Sequence, residues 1–161
     1  MELTKLFEMQ RALDAYIQEN REEQTDVFRE RGLALLVELG ELANETRCFK
    51  FWSKKGPSAR EVILEEYVDS IHFLLSLGLE KGFETLKEWP QATKELPLTE
   101  QFIATYAAVQ QFLQEPTMEH YKVVWQAYDA IAKGLAFTNE EIIDAYIAKN
   151  EENYERQNTG Y

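Results

Sequence analysis

One cysteine, four prolines, seven glycines and two histidines are all that 161 residues supply of those types, and each scarcity excludes something. A lone Cys48 rules out an internal disulfide framework and a multi-cysteine zinc site, and fits a reducing, cytoplasmic setting. No apolar run approaches the ~20 residues that span a bilayer. The opening MELTKLFEMQ lacks a basic stretch followed by an apolar one, so no secretory signal is expected. Positive charge is also short: 17 basic residues against 29 acidic ones leave a formal charge of -12. That balance argues against nucleic-acid binding and against docking on anionic membrane. Apolar residues nevertheless make up 45% of the chain and aromatic ones 12%, too rich for a disordered segment. At roughly 150 residues per domain, residues 1–161 read as one domain.

The rare prolines do the punctuating. Pro57, Pro90, Pro97 and Pro116 all fall between segments of helical period, where a helix interior would not tolerate them. The pattern predicts helices over about 2–22, 27–47, 58–81, 99–114, 117–134 and 138–157, with capping boxes at Ser58–Glu61 and Thr138–Glu141. No alternating strand pattern, repeat or low-complexity tract is present. The expected fold is all-α, a helical bundle around two buried antiparallel helices, because the second and third segments carry apolar residues on nearly every side. The stretch 82–98, with Trp89 and two prolines, reads as a loop or a lid.

Four acids interrupt those two apolar helices. Glu38 falls between Leu35 and Leu42 on one side and Ala34 on the other, with Glu41 one turn on. Asp69 falls between Val62, Phe73 and Ser76, with Glu66 one turn before it. A buried carboxylate is costly unless neutralised, paired or bound to metal. The nearby bases Lys50, Lys54, Lys55 and Arg60 lie in the connecting loop rather than on the helices. Two i, i+3 carboxylate pairs from adjacent helices make a hard, all-oxygen site of the kind that suits Mg²⁺, with Mn²⁺ as an alternative. A solvated face is the competing reading for any single acid, and two pairs inside apolar arcs disfavour it. A di-iron bundle needs Glu-x-x-His on two helices. Only Asp69-Ser-Ile-His72 approaches that pattern, so His72 is read as a core residue rather than a ligand. Glu45 and Glu65 extend the acidic groups, either as further ligands or as solvated charges.

Glu38-Leu-Gly-Glu41 followed by Glu66-Tyr-Val-Asp69 resembles the ExxE…ExxD signature of the all-α nucleoside triphosphate pyrophosphohydrolases, and within them the dimeric all-α dUTPase family. Three further stretches carry that narrower resemblance: Met9–Asp14, the aromatic and basic Phe49–Lys54, and Lys149–Gln157 followed by Gly160-Tyr161. The given sequence stops at Tyr161, where the family usually continues with a further basic residue, so a phosphate contact from that tail is expected to be absent or supplied by another lysine. The mobile insert is expected to be reduced.

The resemblance implies Mg²⁺-dependent hydrolysis of dUTP, and of dUDP, to dUMP by a homodimer. Glu38, Glu41, Glu66 and Asp69 would be the metal ligands, with Glu41 or Glu38 taking the proton of the attacking water. Lys149, Asn153 and Arg156, which share a face at i, i+4, i+7, would hold the phosphates together with Lys54. Gln10, Trp52 and Asn150 would contact base or sugar. Periodicity alone makes Gln10 a surface glutamine and Trp52 a core aromatic. The alternatives are a MazG-like pyrophosphohydrolase for another nucleotide, or a non-catalytic helical interaction module.

Overall fold

A computed structural model of the chain, which describes residues 1–21 and 26–160, is all-helical apart from one isolated bridge between Glu2 and Glu88. Six helices run in order: α1 Thr4–Glu19, α2 Phe28–Thr46, α3 Arg60–Glu80, α4 Leu98–Gln114, α5 Met118–Gly134 and α6 Asn139–Asn158. Each matches a predicted segment, and the final residue predicted for the first helix lies outside the described residues. Among the described residues no helix is long and apolar enough to cross a membrane.

The helix ends follow local chemistry. Thr138 and Glu141 form the predicted capping box at the start of α6, each side chain taking the other residue's backbone N–H. The box predicted at Ser58 does not form. α3 starts at Arg60, and the Ser58 hydroxyl donates instead to the Glu45 carboxylate at the end of α2. A side chain with a partner across the loop is lost to its own helix terminus. α2 stops at Arg47, which takes the left-handed conformation (φ 58°) and sends its guanidinium to Ser53 Oγ (2.8 Å) and the Lys55 carbonyl (3.2 Å).

α2 and α3 pack antiparallel: Arg31 near the start of α2 pairs with Glu80 at the end of α3, and Glu45 meets Ser58 at the other end. α3 is the central helix, with Tyr67, Ile71, Leu74, Leu75 and Leu77 fully buried. The expected burial of α2 holds on one side only. Leu35, Leu39 and Leu42 are buried, whereas Leu33 is 63% and Val37 51% exposed. The segment 82–98 is no lid, because it is pinned at several points. Trp89 is buried, donates its indole N–H to the Trp125 carbonyl (2.8 Å), and stacks edge-on against that ring. The backbone of Leu3 and Trp89 closes the seam to the N-terminus.

Candidate functional site

The site is built on the facing surfaces of α1, α2, α3 and α6. One carboxylate oxygen from each of Glu38, Glu66 and Asp69 lies within 4.8 Å of the others, which is the convergence a divalent cation requires. One oxygen each of Glu38 and Glu66, Oε2, is buried and accepts no hydrogen bond. Burial, then the charges of Asp69, Glu41 and Glu66, push Glu38 up to about 8. Burial, then Asp69 and Glu41, push Glu66 up to about 7. Such acids, crowded and short of donors, suit a hard cation. Glu41 stands outside the triad and is exposed, with its charge close enough to bear on both Glu38 and Glu66.

Beside the triad opens a cavity of about 370 Å³. Glu38 and Asp69 form one part of its wall, Asn153 and Arg156 of α6 another, and Gln10, His72 and Ser76 its floor. Five of the residues singled out from the sequence thus share one cavity. The i, i+4, i+7 face of α6 is only partly available to it. Asn153 and Arg156 line the cavity, but Lys149 is 5% exposed and its ammonium sits against Glu65 (2.7 Å), Glu152 (3.1 Å) and Asp69 (3.3 Å). Arg156 pairs with Glu152 at 2.7 Å.

Gln10 is not a surface glutamine. It is 3% exposed, and every hydrogen-bonding position of its amide is taken. Nε2 donates to Asp14 Oδ1 (2.9 Å) and Ser76 Oγ (3.1 Å), while Oε1 accepts from the Tyr146 hydroxyl (2.8 Å) and from His72 Nδ1 (2.6 Å). A carboxylate can only accept, so Asp14 decides which way the amide faces. His72 then carries its proton on Nδ1 and leaves Nε2 as a buried acceptor without a partner. Burial holds that imidazole down at about 3, hence neutral, stacked 4.2 Å from the Tyr146 ring. The reading of His72 as a core residue therefore fits, with one polar atom left over at the cavity. Asp14, Ser76 and Tyr146 were missed in the sequence. Only Asp14 left a signal there, one turn beyond Gln10 on the same face.

Asn150 is buried beside the Tyr146 hydroxyl with no partner for Nδ2, and does not line the cavity. Trp52 and Lys54 are not brought to it either. Both sit on the loop between α2 and α3, where Trp52 is 65% exposed and packs edge-on against Phe51 and Phe49. Trp52 is accordingly not the core aromatic that periodicity suggested. Glu65 points outward to Lys149, and Glu45 is held by Ser58.

A search of curated proteins finds no match. A protein-family model described as dUTPase, however, matches residues 2–161, nearly the whole chain and both acidic pairs with it. With an all-α fold and a carboxylate triad beside a cavity, and with that match over nearly its whole length, the chain belongs to the all-α dUTPase family, whose activity is that of a dUTP diphosphatase.

Proposed function

We propose that this dUTP diphosphatase is Mg²⁺-dependent, that it splits dUTP with water into dUMP and pyrophosphate, and that it also accepts dUDP. The observation that carries the reading is the opening of Glu38 and Asp69 into the same cavity as Asn153 and Arg156. A triphosphate brings about four negative charges to a protein already at -12, so its phosphates need cationic intermediaries. Glu38, Glu66 and Asp69, with Glu41 at their edge, are the residues that would hold Mg²⁺. The buried, unpartnered oxygens of Glu38 and Glu66 fit that cation. A bound divalent ion supplies phosphate neutralisation and water activation.

The remaining roles belong to the chain itself. Glu41, exposed and with its charge bearing on both Glu38 and Glu66, would accept the proton of the attacking water. Arg156 and Asn153 hold the phosphates, the guanidinium by two parallel hydrogen bonds. Gln10 offers an amide of fixed orientation to the base, and contacts it by exchanging a bond now made to Ser76 or His72. Trp52 and Lys54 serve a site only across a homodimer, for which the exposed Leu33 and Val37 of α2 are the apolar seam. The lone, half-buried Cys48 fits a cytoplasmic protein.

Pyrophosphate release from a panel of deoxynucleoside and ribonucleoside triphosphates, each with Mg²⁺ and with EDTA, tests this reading. Turnover confined to dUTP and lost in EDTA is expected. Turnover of another nucleotide moves the base pocket away from uracil, and turnover that survives EDTA removes the metal.

A further inference from the structure

Lys149 is among the most deeply placed charges of the protein. Its side chain is 6% exposed, and its ammonium touches Glu65, Glu152 and Asp69 at 2.7, 3.1 and 3.3 Å. A buried ammonium is tolerated only when its charge is met, and here three carboxylates meet it. Asp69 belongs to two groups at once: it is a partner of Lys149 and a member of the triad with Glu38 and Glu66. A divalent cation seated on that triad would therefore share Asp69 with an ammonium already there. Among the described residues the other two triad members have no ion pair, and each keeps a buried oxygen without a donor. The arrangement is asymmetric: one corner of the triad is neutralised from within the chain and two are not.

We propose that Lys149 is an internal counter-ion of the carboxylate triad and sets its affinity for divalent cations. In the metal-free protein Lys149 holds Asp69 on the α6 side, and an entering cation draws Asp69 away from it. This inference rests on the reading of Glu38, Glu66 and Asp69 as a metal site. It differs from the sequence expectation that Lys149 is a phosphate contact, because here its ammonium is turned to three carboxylates, one of them by a hydrogen bond.

The size of the effect follows from charge alone. At water's dielectric, a unit positive charge about 6 Å from a divalent ion weakens its binding roughly tenfold, and a lower local dielectric widens that factor. Mn²⁺ is the probe, titrated into the nucleotide-free protein and followed by the paramagnetic resonance signal of the free ion. Lys149→Met, which keeps the length and loses the charge, is expected to bind Mn²⁺ about tenfold more tightly than the unaltered protein. It is also expected to melt lower in EDTA and to gain more from added Mn²⁺. Lys149→Arg, which keeps the charge, is expected to stay near the unaltered affinity. Should Lys149→Met not fold, Lys149→Gln makes the same test while keeping a donor for Glu65. Equal Mn²⁺ affinity in a folded, uncharged variant overturns the inference and leaves the metal site standing. Absence of Mn²⁺ binding by every form at millimolar concentration overturns the metal reading, and this inference with it.

Discussion

Glu38 shows how a single residue trades stability for chemistry. Its carboxyl is pushed up to about 8 in the folded chain, first by burial and then by its acidic neighbours, against about 4.5 when unfolded. Between those values the folded state holds the proton that the unfolded state has lost, so stability falls as pH rises from about 4.5 to about 8. Glu38→Gln removes that slope. In EDTA its melting temperature is expected to exceed that of the unaltered protein by about 3–6 °C at pH 8 and to match it at pH 4, once the half-solvated site is discounted for screening. Its turnover of dUTP is expected to vanish, and paired thermal melts and pyrophosphate assays check both. The acid pairs were legible in the sequence because a carboxylate in an apolar arc is costly wherever the helix lies. Gln10 was not, because its partners Asp14, Ser76, His72 and Tyr146 come from three helices that only the tertiary fold brings together. Lys149 falls between the two: its helix face could be read, but Glu65 and Asp69 stand 84 and 80 positions earlier in the numbering.

Helices were the most legible elements, since their period and the proline breaks agree over the whole chain. Their ends were less so where a cap residue had a competing partner, as Ser58 has in Glu45. Close packing is likewise invisible along a single helix. Gly78, near the end of α3, looks like a residue that alanine would improve by about 1 kcal/mol. In the fold a Cβ there would lie 2.1 Å from the Tyr121 hydroxyl, which is itself buried and bonded to the Leu74 carbonyl at 2.7 Å. Gly78→Ala is therefore expected to destabilise the protein by about 1–3 kcal/mol, the cost of an overfilled core, with urea unfolding as the measurement. Arg60 joins α3 to the entrance of α6 by a two-pronged bond to Glu141 and by the carbonyls of Leu135 and Ala136. It thereby fixes the helix that carries Asn153 and Arg156 against the helix that carries Glu66 and Asp69.

At the scale of the molecule, the sequence placed two apolar helices at the centre, and the fold covers α3 far more completely than α2. The outer face of α2 leaves Leu33 and Val37 in solvent, and Glu41 follows one turn further along the same exposed stripe. A second copy packed there would lie beside the carboxylates. Leu33→Glu tests the proposed homodimer: it is expected to leave a monomer in sedimentation equilibrium and to cut turnover at least tenfold, while its helical circular dichroism stays unchanged. A Leu33→Glu protein of unaltered mass and rate would take the seam off α2. The three tryptophans offer a different use for the same architecture. Trp89 and Trp125 are 3% and 0% exposed, whereas Trp52 is 65% exposed. Acrylamide should therefore quench one emitter readily and spare the other two, so the intrinsic fluorescence contains a separable, unlabelled signal from the aromatic loop. Whatever settles on that loop, whether a second subunit or a nucleotide reached across it, would announce itself as a blue shift and a loss of quenching, with no dye attached.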